Sequence, residues 1–172
     1  DQPFIYYASG ETAERISRMP QVEKVLDKGF EVLYFTDEVD EFAIQMLWKY
    51  KDKEFRSVSS GDLKLDEEQE EKKDGSDEDQ EMLAHLKKLF DGQVEDVRLT
   101  GRLKSHPVCL TAEGPLSIEM EKVLNSMADG EKMKARKILE LNSSHPLLDK
   151  LRELYRSDRD QLDVYGRLLL GK

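Results

Sequence analysis

The first sixty residues alternate short apolar runs with stretches of helical spacing. Phe4-Ile5-Tyr6-Tyr7-Ala8 is an unbroken apolar and aromatic run closed by Ser9-Gly10, which predicts a buried strand turning into a helix near Glu11. Pro20 opens a second helical stretch whose Val22, Val25 and Leu26 share a face, with Gly29 as its stop. Phe30 to Phe35 reads as another strand, Asp37 as the N-cap of a helix from Glu38 to about Tyr50, and Phe55 to Val58 as a last strand. The β-α-β-α-β order implies a small, mostly parallel sheet with helices packed on it.

Further on, Met82, Leu83, Leu86, Leu89 and Phe90 mark an amphipathic helix stopped at Asp91-Gly92. Strands are expected at Val94 to Leu99, Val108 to Thr111 and Ile138 to Leu141, and helices at Leu116 to Met127, Pro146 to about Tyr155 and Leu162 to Leu170. The fold class is therefore α/β of a mixed kind: a small β-α-β sandwich, then a second α/β domain with an amphipathic helix. The expected division is 1–61 for the first domain, 62–80 for a linker and 81–172 for the second.

The linker comes from charge. Of the net −10 carried by 172 residues, −8 falls between Asp62 and Glu81, where eleven carboxylates face three lysines and Leu63 and Leu65 are almost the only apolar residues before Met82. Such a stretch has too little apolar surface to fold on its own. What remains carries −2 and shows no basic face, which argues against nucleic acid as a partner, since affinity for phosphate backbones comes from clustered Lys and Arg. The longest apolar run, Phe4 to Ala8, is far short of the roughly 20 residues that cross a bilayer, so no membrane partner is expected. Cys109 is the one cysteine, which suits a reducing compartment and makes the cytoplasm the expected location. The chain opens at Asp1-Gln2-Pro3 without methionine and enters an apolar strand at once, as an excised piece of a longer protein would.

Three groups of residues suggest chemistry. Asp37, Glu38, Asp40 and Glu41 could hold a metal, but carboxylates crowd the first turn of helices because the exposed N–H groups and dipole favour them there. Ser9-Gly10-Glu11-Thr12 could cradle a phosphate at a strand-to-helix turn; GxGxxG and GxxxxGK[ST] are both absent, and Ser and Thr are ordinary caps. His106 and Cys109 are too few for zinc, and Cys109 sits between Val108 and Leu110 as a small buried hydrophobe would. No metal ligand and no catalytic residue is assigned. The remaining feature is the face formed by Leu116, Met120, Val123, Leu124 and Met127, which reads first as core packing and alternatively as an adaptable binding surface. Phe42, Gln45, Met46 and Trp48 cannot all point inward from their own helix, so an exposed aromatic is expected there.

Several segments resemble a known family. Ile5-Tyr6-Tyr7-Ala8-Ser9-Gly10-Glu11, Gly29-Phe30-Glu31-Val32-Leu33-Tyr34 and Asp37-Glu38-Val39-Asp40-Glu41-Phe42-Ala43 are similar, in order and spacing, to the IYYITGE, GYEVLY and DPIDEYA segments of the ninety-kilodalton heat-shock chaperones. Gly92 to Thr100 with Arg102-Leu103 resembles the start of that family's C-terminal domain. Leu139-Glu140-Leu141-Asn142 with His145-Pro146-Leu147 resembles the LELNPxHPL segment of its bacterial members.

The resemblance implies a fragment: the small α/β end of the middle domain, the linker and much of the C-terminal domain. The parent would be a homodimeric, ATP- and Mg-dependent chaperone of partly folded clients, while the fragment, lacking the nucleotide domain, would bind no cofactor and hydrolyse nothing. Client contacts map onto Glu41, Phe42 and Gln45 and onto Leu116, Met120, Val123 and Leu124, which tips the amphipathic face toward exposure. Dimer contacts map onto Leu162, Tyr165, Leu168 and Leu169, with part of the family's dimer bundle beyond Lys172, so a weak dimer or a monomer is expected. Two rival readings stay open: an assembly or regulatory module that docks one specific partner, and a phosphate-binding α/β domain.

Overall fold

A computed structural model describes residues 2–61, 63, 65, 75–127 and 132–171. Its elements run β1 (Ile5–Ser9), α1 (Ala13–Ser17), α2 (Pro20–Asp27), β2 (Val32–Phe35), α3 (Asp40–Leu47), β3 (Lys49–Tyr50), β4 (Lys53–Ser57), α4 (Asp77–Leu89), β5 (Asp96–Thr100), β6 (Val108–Glu113), α5 (Ile118–Ser126), β7 (Arg136–Asn142), α6 (Pro146–Ser157) and α7 (Arg159–Leu169). The fold is mixed α/β. Two compact units divide the chain: Asp1–Leu65 with Thr111–Arg136, and Asp66–Leu110 with Lys137–Lys172. Thr111–Arg136, grouped by the sequence reading with the C-terminal part, thus falls in the N-terminal unit. Most of the acidic stretch expected as a linker lies outside the described residues.

In the first unit the sheet order is β2-β1-β4-β3. β1 runs parallel to both neighbours, with Tyr6 opposite Val32 and Ile5 opposite Phe55. A strand covered on both faces has no polar side to show, which is why Tyr6, Tyr7 and Ala8 are all buried and the sequence there does not alternate. Ile16, Val22, Val25, Val58 and Leu63 complete this core. Thr12 caps α1 by accepting from Arg15 N at 3.2 Å, and Gly29, at φ 77°, ends α2 as expected.

The predicted helix from Glu38 to Tyr50 is shorter at both ends. Val39, not Asp37, holds the N-cap position, and Asp40 Oδ2 accepts from Asp37 N at 3.2 Å. At the other end Trp48 N donates to Ile44 O at 2.8 Å and the chain then turns through a positive φ. Lys49 and Tyr50 leave the helix to pair antiparallel with Glu54 and Lys53, a hairpin that the helical spacing concealed.

In the second unit β7 lies between β5 and β6, parallel to β5 with Val97 opposite Leu139. α4 begins at Asp77, inside the expected linker, because a reciprocal capping box starts it: Ser76 Oγ accepts from Asp79 N at 3.2 Å, and Asp79 Oδ2 accepts from Ser76 N at 3.1 Å. Met82, Leu86, Phe90, Leu139, Leu151 and Leu162 pack its core. On the sheet Glu140, 1% exposed, stands opposite Arg98 and accepts from it at 2.6 Å and from Arg102 Nε at 2.6 Å. This pair of guanidiniums around one buried carboxylate was not visible in the sequence.

Candidate functional site

Within the first unit, α3 and α5 meet through polar side chains. Glu41 and Gln45 lie one turn apart on α3 and therefore share a face. Ser117 Oγ accepts from Met120 N at 3.0 Å, which caps α5, and donates to Glu41 Oε2. Gln45 Nε2 donates to Pro115 O at 2.9 Å and to Met120 Sδ at 3.0 Å. Of the candidate client contacts, Gln45 and Met120 are thus joined directly and Glu41 is tied to α5 through Ser117, while Leu116 lies between Pro115 and Ser117, both of which α3 engages.

Exposure is uneven along this face. Met120 is 7% exposed and Glu41 5%. Phe42, Leu116, Val123 and Leu124 are half-buried, Gln45 is exposed and Met127 is 57% exposed. The amphipathic helix is therefore neither wholly core nor wholly free: its Met120 end is covered and its Met127 end is open. The helix expected from Leu116 starts at Ile118, because Ser117 caps it; that the Ser117 hydroxyl also serves a carboxylate more than seventy residues away left no trace in the sequence.

A cleft of about 160 Å³ adjoins this junction. Ser9, Gly10 and Glu11 after β1, Phe35 to Glu38 after β2, Glu41, and Glu119, Lys122, Val123 and Ser126 of α5 line it. Ser9, Gly10 and Glu11 of one sequence candidate and Asp37, Glu38 and Glu41 of another open on the same space, whereas Thr12 and Asp40 do not line it. Five carboxylates against one lysine make that space hostile to a phosphate. Among the described residues no group of three His, Cys, Asp or Glu side chains is arranged to hold a metal.

Burial pushes the Glu41 carboxyl above its ordinary value; the Ser117 hydrogen bond opposes this, and the charge of Glu119 adds to it. Ser9 Oγ lies close enough to favour the charged form slightly, but forms no hydrogen bond of ordinary geometry. Burial first, and Glu41 second, raise the Tyr7 hydroxyl to about 12. The Tyr7 hydroxyl therefore stays protonated at neutral pH.

The residues assigned to dimer contacts divide in the second unit. Leu162 is fully buried in the core and Leu169 packs against it, whereas Tyr165 and Leu168 are exposed, as is Val164, which the sequence reading left out. No helix among the described residues is long and apolar enough to cross a membrane.

Comparison with known proteins adds the following. The Hsp90 protein family model matches residues 1–169. The chain is 56% identical over its whole length to the chaperone protein HtpG of Halalkalibacterium halodurans, 54% to that of Clostridium botulinum and 46% to that of Bacillus subtilis. It spans 28% of the length of each of these relatives.

Proposed function

The chain belongs to the Hsp90 family, and from that premise we propose that it forms a client-binding part of an ATP-driven chaperone, centred where α3 and α5 meet. The observation that supports this reading is the junction itself. Polar bonds from Glu41 and Gln45 fix α5 against α3 at its Met120 end, while Phe42, Leu116, Val123, Leu124 and Met127 keep apolar surface in contact with water. Apolar attraction is non-directional, so a held but partly open apolar face can take up exposed segments of partly folded proteins without demanding a sequence.

In this proposal ATP and Mg²⁺ act elsewhere in the parent chaperone, and the 172 residues are a non-enzymatic segment of it. The parent would work as a cytoplasmic homodimer. Tyr165, Leu168 and Val164 supply the exposed side of α7 available for that association, and the segment alone would associate weakly or not at all.

The test is binding of an unfolded model protein to the chain and to a Phe42→Ser, Leu124→Ser double variant, with circular dichroism to confirm folding. Weaker binding by the folded variant supports the site. Unchanged binding removes it. Met120 is unsuitable for this purpose, because truncating so covered a side chain leaves a cavity costing about 2–5 kcal/mol.

A further inference from the structure

The run Trp48-Lys49-Tyr50-Lys51-Asp52-Lys53 alternates aromatic and basic residues and folds into the β3–β4 hairpin. β3 is the last strand of its sheet, and among the described residues no strand pairs with its outer side. Such an edge offers free backbone N–H and C=O groups to an incoming chain. Trp48 is 56% exposed and Tyr50 57%. Lys49 Nζ lies 5.3 Å from the Trp48 ring centre and Lys51 Nζ 5.4 Å from that of Tyr50.

The backbone here is also unusual. Trp48, at φ 44°, and Lys51, at φ 53°, are the two non-glycine residues with positive φ in the described chain. A positive φ costs a residue with a Cβ roughly 1–2 kcal/mol, and at Trp48 the ring, more than half exposed, recovers only part of the burial that would offset it. Lysine alone on an edge discourages pairing with another edge; two exposed rings beside it do the reverse.

We infer that this hairpin is a docking edge for an extended, acidic polypeptide segment, which adds as a strand beside β3, covers the Trp48 and Tyr50 rings and sets its carboxylates against Lys49 and Lys51. Charge selects the partner. Residues 48–53 hold three lysines and one aspartate in a chain of net charge −10, so an acidic segment is repelled by the molecule at large and attracted at this edge. Backbone pairing supplies affinity that does not depend on side chains, and the rings exclude water from it. The inference does not rest on the client-binding face, whose side chains it does not use.

Trp48 is the chain's one tryptophan, so its emission reports the event. The 172-residue chain is titrated with a short, end-capped peptide alternating Glu and Val, with its Lys/Val counterpart, with the Glu/Val peptide N-methylated at alternate residues, and with a single-stranded oligonucleotide of equal charge. The acidic peptide should give a saturable blue shift, and the basic and N-methylated peptides none. Lys49→Gln with Lys51→Gln should weaken binding about tenfold, and Tyr50→Thr should also weaken it. Should the double variant fail to fold, Lys49→Arg with Lys51→Arg must retain binding and rising salt must weaken it in the unaltered chain. Equal response to acidic and basic peptides, indifference to N-methylation, or unchanged binding by the folded glutamine variant would overturn the inference. Tighter binding of the oligonucleotide would overturn it in favour of a nucleic-acid surface.

Discussion

Glu41 is held inside the first unit by one strong hydrogen bond, and the cost of keeping it charged there sets its pH behaviour. Its folded carboxyl titrates above the ordinary value of 4.5, so ionisation opposes folding: the penalty is absent below that value, grows as pH rises, and is complete above the raised one. Glu41→Gln retains an acceptor for Ser117 and should stabilise the first unit at neutral pH, with the advantage gone near about pH 4; urea titrations followed by Trp48 emission would show it. A loss of stability at neutral pH would mean that the charged hydrogen bond outweighs desolvation. Glu140 in the second unit is the opposite case, a buried carboxylate matched by two guanidiniums. Glu140→Gln leaves Arg98 and Arg102 without their counter-charge and should cost about 3 kcal/mol in denaturant unfolding. Cys109, whose thiol burial and the neighbouring Glu140 push up to about 12, should resist thiol reagents at mildly alkaline pH until the chain is unfolded. Free labelling of the native chain would contradict its burial.

At the scale of elements, what could be read in the sequence was what local rules decide. Pro20 and Gly29 bracket α2, Pro146 opens α6, and the apolar run at Tyr6 to Ala8 became the central strand, because propensity, capping and packing agree at each place. α3 was misjudged where they compete: Leu47-Trp48-Lys49-Tyr50 continues the helical spacing, but the β-favouring Trp48 and Tyr50 and the pairing offered by β4 end the helix at Leu47. α4 was begun too late because its first turn is carboxylates and shows no apolar period; the Ser76 and Asp79 capping box was the available signal. Ser76→Ala should accordingly cost about 1 kcal/mol, read as a lower urea midpoint of the second unit. Of the candidate site, the residues on α3 and α5 were named from sequence and resemblance, but the bonds that join Glu41 to Ser117 and Gln45 to Met120 were not, since they span more than seventy residues and leave no periodic trace.

For the whole chain, each of the two units has its own apolar core, and the proposed client face belongs entirely to the first. The proposed self-association belongs to the second: Tyr165→Asp with Leu168→Asp should lower the apparent mass by light scattering at high chain concentration, whereas Leu162→Asp should unfold the unit, because Leu162 is in its core. The central claim concerns clients, and six methionines give it a direct reporter. With methionine methyls isotope-labelled, an unfolded model protein is added and their NMR signals followed. The account predicts that Met120 and Met127 shift or broaden while Met82, fully buried in the second unit's core, does not. Binding that left both Met120 and Met127 unmoved would contradict it.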